Sequence, residues 1–114
     1  MRQGSPALDA LDLAELRRVL TPLRGSFRDL KVFGSRAIGR SRRSSDLDLA
    51  IYGADTRTVR MVVEALEESF LPMTADVVAY ETITSDVLRQ HIDRVALPLP
   101  LDPALDEPTS AAAE

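Results

Sequence analysis

The stretch Lys31-Val32-Phe33-Gly34-Ser35-Arg36-Ala37-Ile38-Gly39, followed after an arginine- and serine-rich loop by Ser45-Asp46-Leu47-Asp48-Leu49-Ala50-Ile51-Tyr52, carries the pattern G-S-x10-D-x-D. Its apolar residues predict a strand running into a tight turn at Gly34-Ser35, then a second strand over 46–52 that carries the two carboxylates. Side chains alternate faces along a strand, so Asp46 and Asp48 point the same way, with their α-carbons about 7 Å apart. Carboxylates so placed can share two divalent cations. Two such ions about 3.5–4 Å apart clamp the attacking and leaving oxygens of a phosphoryl transfer, and hard Mg²⁺ takes carboxylate, water and phosphate oxygen as ligands.

The turn complements this chemistry. Gly34 has no side chain to keep a phosphate from the backbone, and the Ser35 hydroxyl with the N–H groups after it can hold an anion. Two aspartates on one strand do not complete two octahedral shells or place a base beside an attacking hydroxyl, so a third carboxylate is expected. Asp76, in Thr74-Ala75-Asp76-Val77-Val78-Ala79, is the candidate. A helix long enough for a crossover separates that segment from the 46–52 strand, which predicts two parallel neighbours. Asp29, Asp55 and Asp86 read instead as turn or cap residues. Arg36, Arg40, Arg42 and Arg43 lie between the halves of the motif and form a local positive field suited to a triphosphate or an acidic partner. His91 reads as a helix-surface residue.

The whole chain, 114 residues, is expected to make one small domain with one site. Its 14 Lys and Arg against 18 Asp and Glu give a net charge of −4, which argues against broad nonspecific binding of nucleic acid. Without cysteine there is no disulfide framework or thiolate metal site, and a single histidine disfavours a zinc enzyme. No basic segment leads into an apolar run at the amino terminus, and no stretch approaches the roughly 18 apolar residues of a membrane span, so a soluble, cytoplasmic protein is expected. Residues 1–11 read as a flexible N-terminus, 12–101 as the folded unit and 102–114 as a disordered tail. Within the folded unit, Leu13, Leu16, Val19 and Leu20 mark a helix that Asp12 and Glu15 cap and that Pro22 and Gly25 end. Val59, Val62, Val63, Leu66 and Phe70 mark a second, core-packing helix that ends near Pro72. Ser85 caps a short helix to about 91 or 92, and residues 95–99 form an edge strand whose Pro98 cannot donate to a ladder.

These segments, with Ala75-Asp76-Val77-Val78, resemble a minimal nucleotidyltransferase of the DNA polymerase β superfamily over roughly residues 12–100. The resemblance implies an α+β nucleotidyltransferase fold, a small mixed β-sheet flanked by helices. Gly34 and Ser35 match the family's nucleotide-binding phosphate turn, Asp46 and Asp48 its paired metal ligands, and Asp76 its third catalytic and metal-binding aspartate. Arg36 fits the arginine that follows the serine and is expected to contact nucleotide. Ile38 departs from the pattern, since many relatives have a second arginine there, and Arg40 or Arg42 is the available replacement. Stand-alone members are commonly encoded beside a HEPN-domain protein, a helical partner that can be an RNase toxin. The transferase then acts as antitoxin, in some pairs by adding AMP from ATP to a tyrosine of that partner. The resemblance therefore implies a protein adenylyltransferase with two Mg²⁺ ions, ATP as substrate and a HEPN-type partner in a hetero-oligomer. A non-catalytic antitoxin that masks the HEPN protein, and a small-molecule or RNA nucleotidyltransferase completed by a separate helical subunit, stand as alternatives.

Overall fold

The computed structural model describes residues 5–101, so the tail expected over 102–114 lies outside the described residues. The first helix, α1, spans Ala10–Leu20 and starts earlier than its apolar spacing indicates. Asp9, not Asp12, is its N-cap: the Asp9 carboxylate accepts the Asp12 N–H at 2.8 Å and satisfies one of the helix's open donors. Pro22 does not stop the chain abruptly. It stands at the start of a 3₁₀ turn over Thr21–Ser26, where its missing N–H costs nothing.

Strand β1 (Asp29–Phe33) pairs antiparallel with β2 (Leu47–Tyr52), and β2 pairs parallel with β3 (Ala75–Ala79). Between β2 and β3 runs α3 (Thr56–Glu67), the crossover that a parallel pair requires, with Asp55 accepting the Thr58 N–H at its start. The short α2 (Ser35–Ile38) follows β1 directly. Helix α4 (Asp86–Val95), capped by Ser85, leads to β4 (Leu97–Pro98), which pairs antiparallel with β1. The result is a four-stranded mixed sheet in the order β3-β2-β1-β4. Pro98 lies on an edge strand, as its missing donor demands.

Alternation along the strands separates two cores. Leu30, Val32, Leu47, Leu49 and Ile51 pack with Leu16 and Leu20 of α1 and Val62 and Leu66 of α3, and Leu99 and Leu101 return to this core after β4. On the other face, Phe33 and Ala50 meet Ile83 and Ile92, with Leu88 and Val95 of α4 packed around them. Each fully buried leucine or isoleucine contributes about 1.5–3 kcal/mol relative to exposure, so the α1–α3 layer carries most of the burial. Among the described residues, no helix is long and apolar enough to cross a membrane.

Phe70 departs from its expected place in the core. Helix α3 ends at Glu67, the Ser69 hydroxyl donates to the Leu66 carbonyl at 2.6 Å, and Pro72 follows. That side-chain bond takes a carbonyl the next helical turn would have used. Phe70 therefore leaves the helical face and is 84% exposed. Its backbone N–H donates to Glu15, and its ring lies 5.5 Å from the Arg18 guanidinium.

Candidate functional site

The carboxylates gather at one end of the sheet, where β1 finishes and β2 and β3 begin. Asp48 is the second residue of β2 and Asp76 the second of β3, and they are register partners across the parallel pair. Partners in register project from the same face. Phe33, the last residue of β1, faces Asp48 from the antiparallel side, which brings Gly34 against the same carboxylate. Asp46 precedes β2 and is exposed, as is Asp76, whereas Asp48 is half-buried.

The electrostatics join the three groups. Burial pushes the Asp48 carboxyl above the usual carboxylate range, the negative charges of Asp76 and Asp46 push it further, and His91 pulls it back. Among the described residues, no three His, Cys, Asp or Glu side chains converge into a metal cage by themselves. The donor chemistry nevertheless fits a hard divalent cation, because Mg²⁺ is usually held by one or two carboxylates, with water and substrate phosphate completing the shell.

Gly34 is needed twice over. Its backbone has φ +75° and ψ −154°, and a Cβ placed on it would stand 2.3 Å from Asp48 Oδ2. Only glycine occupies that conformation without strain, and only a missing side chain leaves the carboxylate its room. Ser35 begins α2 directly behind it and is half-buried.

Arg36, expected to reach nucleotide, is instead 5% exposed and turned into the chain. Its guanidinium donates to the carbonyls of Ala7 at 2.7 Å, Ser45 at 2.8 Å and Arg43 at 3.1 Å, with a longer contact to that of Arg42. The Arg36 carbonyl in turn accepts the Ala7 N–H at 2.8 Å. One buried cation thus clips the segment before α1 to the loop that leads into Asp46. This is a structural role that sequence reading did not assign. Arg40, Arg42 and Arg43 are exposed, and none of them forms an ion pair among the described residues.

His91 also differs from its expected place on a helix surface. It is half-buried, with its ring edge-on to Phe33 at 6.1 Å. The signal was available: Leu88, His91, Ile92 and Val95 fall at i, i+3, i+4 and i+7, the apolar face of α4. The imidazole therefore packs on the residue before Gly34, close enough for its charge to reach Asp48.

Comparison with known proteins agrees with this arrangement. A solved structure of a candidate minimal nucleotidyltransferase is 32% identical, with a TM-score of 0.58 over 75% of this chain and 90% of that one. A toxin–antitoxin crystal structure with AMP-PNP is 22% identical, with a TM-score of 0.61 over 89% of this chain and 82% of that one. A mutant form of the toxin–antitoxin MntA-HpeT is 20% identical, with a TM-score of 0.59 over 88% and 82% of the two chains. These last two share the fold. Comparison with curated proteins gave no significant match. The family model for polymerase beta nucleotidyltransferases matches residues 28–97, which is more than half the chain and includes the turn and all three aspartates. With its four-stranded mixed sheet and flanking helices, the chain belongs to the polymerase beta nucleotidyltransferase family.

Proposed function

We infer that this chain is a Mg²⁺-dependent protein adenylyltransferase that moves AMP from ATP to a hydroxyl, a tyrosine in particular, of a HEPN-type toxin partner, and so acts as an antitoxin. The observation that carries this reading is the register pairing of Asp48 with Asp76 on parallel strands, with the side-chain-free Gly34 pressed against Asp48. A binding module has no need of carboxylates held at a separation where they repel. The toxin–antitoxin neighbours, one of them described with AMP-PNP, support the antitoxin part.

Asp46 and Asp48 would hold both Mg²⁺ ions, and Asp76 would hold the one beside the acceptor. When bound, the ions neutralise charge on the triphosphate. Gly34 lets the phosphates approach the backbone, and Ser35 with the amides after it orients the outgoing pair. The acceptor oxygen bonds to the α-phosphorus as the bond to the bridging oxygen of the β-phosphate breaks. Pyrophosphate leaves with that electron pair, and a carboxylate oxygen of Asp76 takes the acceptor proton. No covalent intermediate on the chain is involved. Arg36 acts at a distance by fixing the loop that delivers Asp46.

Incubating the purified chain with its partner, Mg²⁺ and ATP, then measuring the partner's intact mass, tests the reading. One or more AMP increments, absent with Asp48→Asn, are expected. An unmodified partner that is nonetheless fully inhibited would establish masking without chemistry. Label trapped on an RNA end or a small molecule, with none on protein, would move the acceptor elsewhere.

A further inference from the structure

Strand β3 forms one side of the sheet, and its outer edge is bare. The Thr74 carbonyl accepts the Leu47 N–H at 2.8 Å, so the backbone groups of Thr74, Asp76 and Val78 point toward β2, and alternation turns those of Ala75, Val77 and Ala79 outward. Among the described residues a single group meets that outer row: the Thr82 hydroxyl donates to the Ala79 carbonyl at 2.9 Å. The N–H groups of Ala75, Val77 and Ala79 and the carbonyls of Ala75 and Val77 stand open. Of the ligands a protein meets, only another extended polypeptide matches such a row of alternating donors and acceptors.

Edge strands are ordinarily guarded, and the opposite edge of this sheet is: β4 has two residues, one of them Pro98, and Pro100 follows. By contrast β3 runs for five residues without proline or lysine, in unbroken register with β2. Its one charge is Asp76, and that side chain projects from the face of Asp48, toward the proposed transfer site. The other face of β3 turns to α3. There a cavity of about 310 Å³ lies at the far end of the strand, lined by Ala79 and by Ala54 and Val59 around the start of α3.

We propose that the acceptor protein binds by adding an extended segment to the outer edge of β3, with its acceptor hydroxyl on the residue opposite Asp76 and an apolar side chain three residues along, opposite Ala79, in the adjoining cavity. The proposal rests on the transfer reading above and adds how the acceptor is held. Neighbouring strands lie about 4.7–4.9 Å apart and register partners share a face, so the residue opposite Asp76 projects beside the carboxylate that would take its proton. The residue three along projects from the other face, toward α3. Backbone pairing supplies affinity, while the cavity and the site supply selection. A second copy of this chain is disfavoured as the occupant. Antiparallel self-pairing about Val77 would set the two Asp76 side chains diagonally on one face, about 7–8 Å apart, and add like charge to a cluster that already repels itself.

The test is amide hydrogen exchange, read residue by residue by NMR on the full chain with and without the purified HEPN-type protein. The Asp76 and Val78 amides face β2 and should exchange slowly in both states. Those of Ala75, Val77 and Ala79 should exchange fast in the free chain and at least about tenfold more slowly in the complex. Ala75→Pro and Ala79→Pro each remove an outward donor and set a ring on the edge while leaving the pairing with β2. Ala75 is the first residue of the strand, where proline is tolerated, and Ala79 has φ −83°, close to the value proline fixes. By calorimetry each variant should bind the partner about tenfold more weakly or worse, with the melting-temperature rise from Mg²⁺ and a nonhydrolysable ATP analogue as in the wild type. The exchange measurement needs no variant, so it decides the matter even if a proline variant fails to fold by circular dichroism. Unchanged exchange of all three outward amides in the complex, wild-type affinity in both proline variants, or no complex with the wild-type chain would overturn the docking mode. If the partner still gained AMP, the transfer reading would survive. Protected outward amides with a partner that gains no AMP would leave strand addition standing and sink the transfer reading. Outward amides that slow with concentration in the chain alone would assign the edge to a second copy and defeat the proposal.

Discussion

Gly34→Ala is the substitution whose cost the geometry fixes best. At φ +75° and ψ −154° the backbone occupies a region in which a residue with a Cβ is strained by about 1–3 kcal/mol. The new methyl would also meet Asp48 Oδ2 at 2.3 Å and Cγ at 3.2 Å. Asp48 is half-buried and can swing aside, but leaving its preferred rotamer costs about a further 0.5–1.5 kcal/mol. The variant should therefore lose about 2–4 kcal/mol, and a loss of 2 kcal/mol alone lowers the melting temperature of a domain this size by about 8–16 °C. Urea denaturation of Gly34→Ala, Asp48→Ala and the double variant separates the two parts. The backbone cost should persist without Asp48, whereas the collision should appear as a coupling of about 0.5–1.5 kcal/mol that vanishes with it. A Gly34→Ala protein within about 0.5 kcal/mol of wild type, the range of an ordinary surface substitution, would refute the close approach of turn and carboxylate.

The remaining predictions concern the groups around that contact. Arg36→Lys leaves the carbonyls of Ala7, Arg43 and Ser45 without a fork that can reach them all, so denaturant titration should show a loss of about 1.5–3 kcal/mol, and wild-type stability would remove its role as a clip. The Glu15 carboxyl is held down at about 2, against an ordinary 4.5, by its hydrogen bond from Arg18 and then by the Phe70 N–H. A depressed carboxylate stabilises the fold above its unfolded value and loses that contribution as pH falls from about 4.5 to about 2, so the melting-temperature gap between wild type and Glu15→Gln should close across that window. A gap independent of pH would show that the ionised pair contributes nothing. A nonhydrolysable ATP analogue with Mg²⁺ at about 100 times its Kd should stabilise the wild type by about 2.7 kcal/mol and Asp48→Asn hardly at all. An equal shift in both would place the nucleotide elsewhere.

Much of the fold was legible because long segments had one consistent period. The apolar positions of α1 and α3, the alternation over β2 and the crossover length all pointed to one sheet, and Asp76 fell beside Asp48 because a parallel pair joined by one helix leaves little choice. What was missed depends on contacts between segments distant in sequence. Phe70 fits the helical period of α3, yet the Ser69 hydroxyl and the Glu15 carboxylate remove it from that face. Arg36 looked like a phosphate ligand because arginine commonly is one, but its acceptors are carbonyls at positions 7 and 42–45 that no local pattern joins. Asp9 as the N-cap was hidden because Leu11 in the first turn of α1 is exposed and lies off its buried face, so the apolar period of the helix starts late.

The carboxylate cluster is the one place where local chemistry works against the fold. In the protein alone, burial raises the Asp48 carboxyl, and Asp76 and Asp46 add repulsion that His91 only partly offsets. A carboxyl raised in the folded state destabilises it fully above the folded value, and the penalty is relieved as pH falls through that value toward 3.8. At neutral pH without metal, removing the charge should therefore not lower stability: Asp48→Asn should melt at or above the wild-type temperature while losing transfer. With the proposed function, the same neutralisation by bound cations would relieve the site, and a cluster so costly to the bare fold would be tolerable. A clear drop in the melting temperature of metal-free Asp48→Asn would mean that the carboxylate holds the turn together instead, and the strain assigned to this end of the sheet would have to be withdrawn.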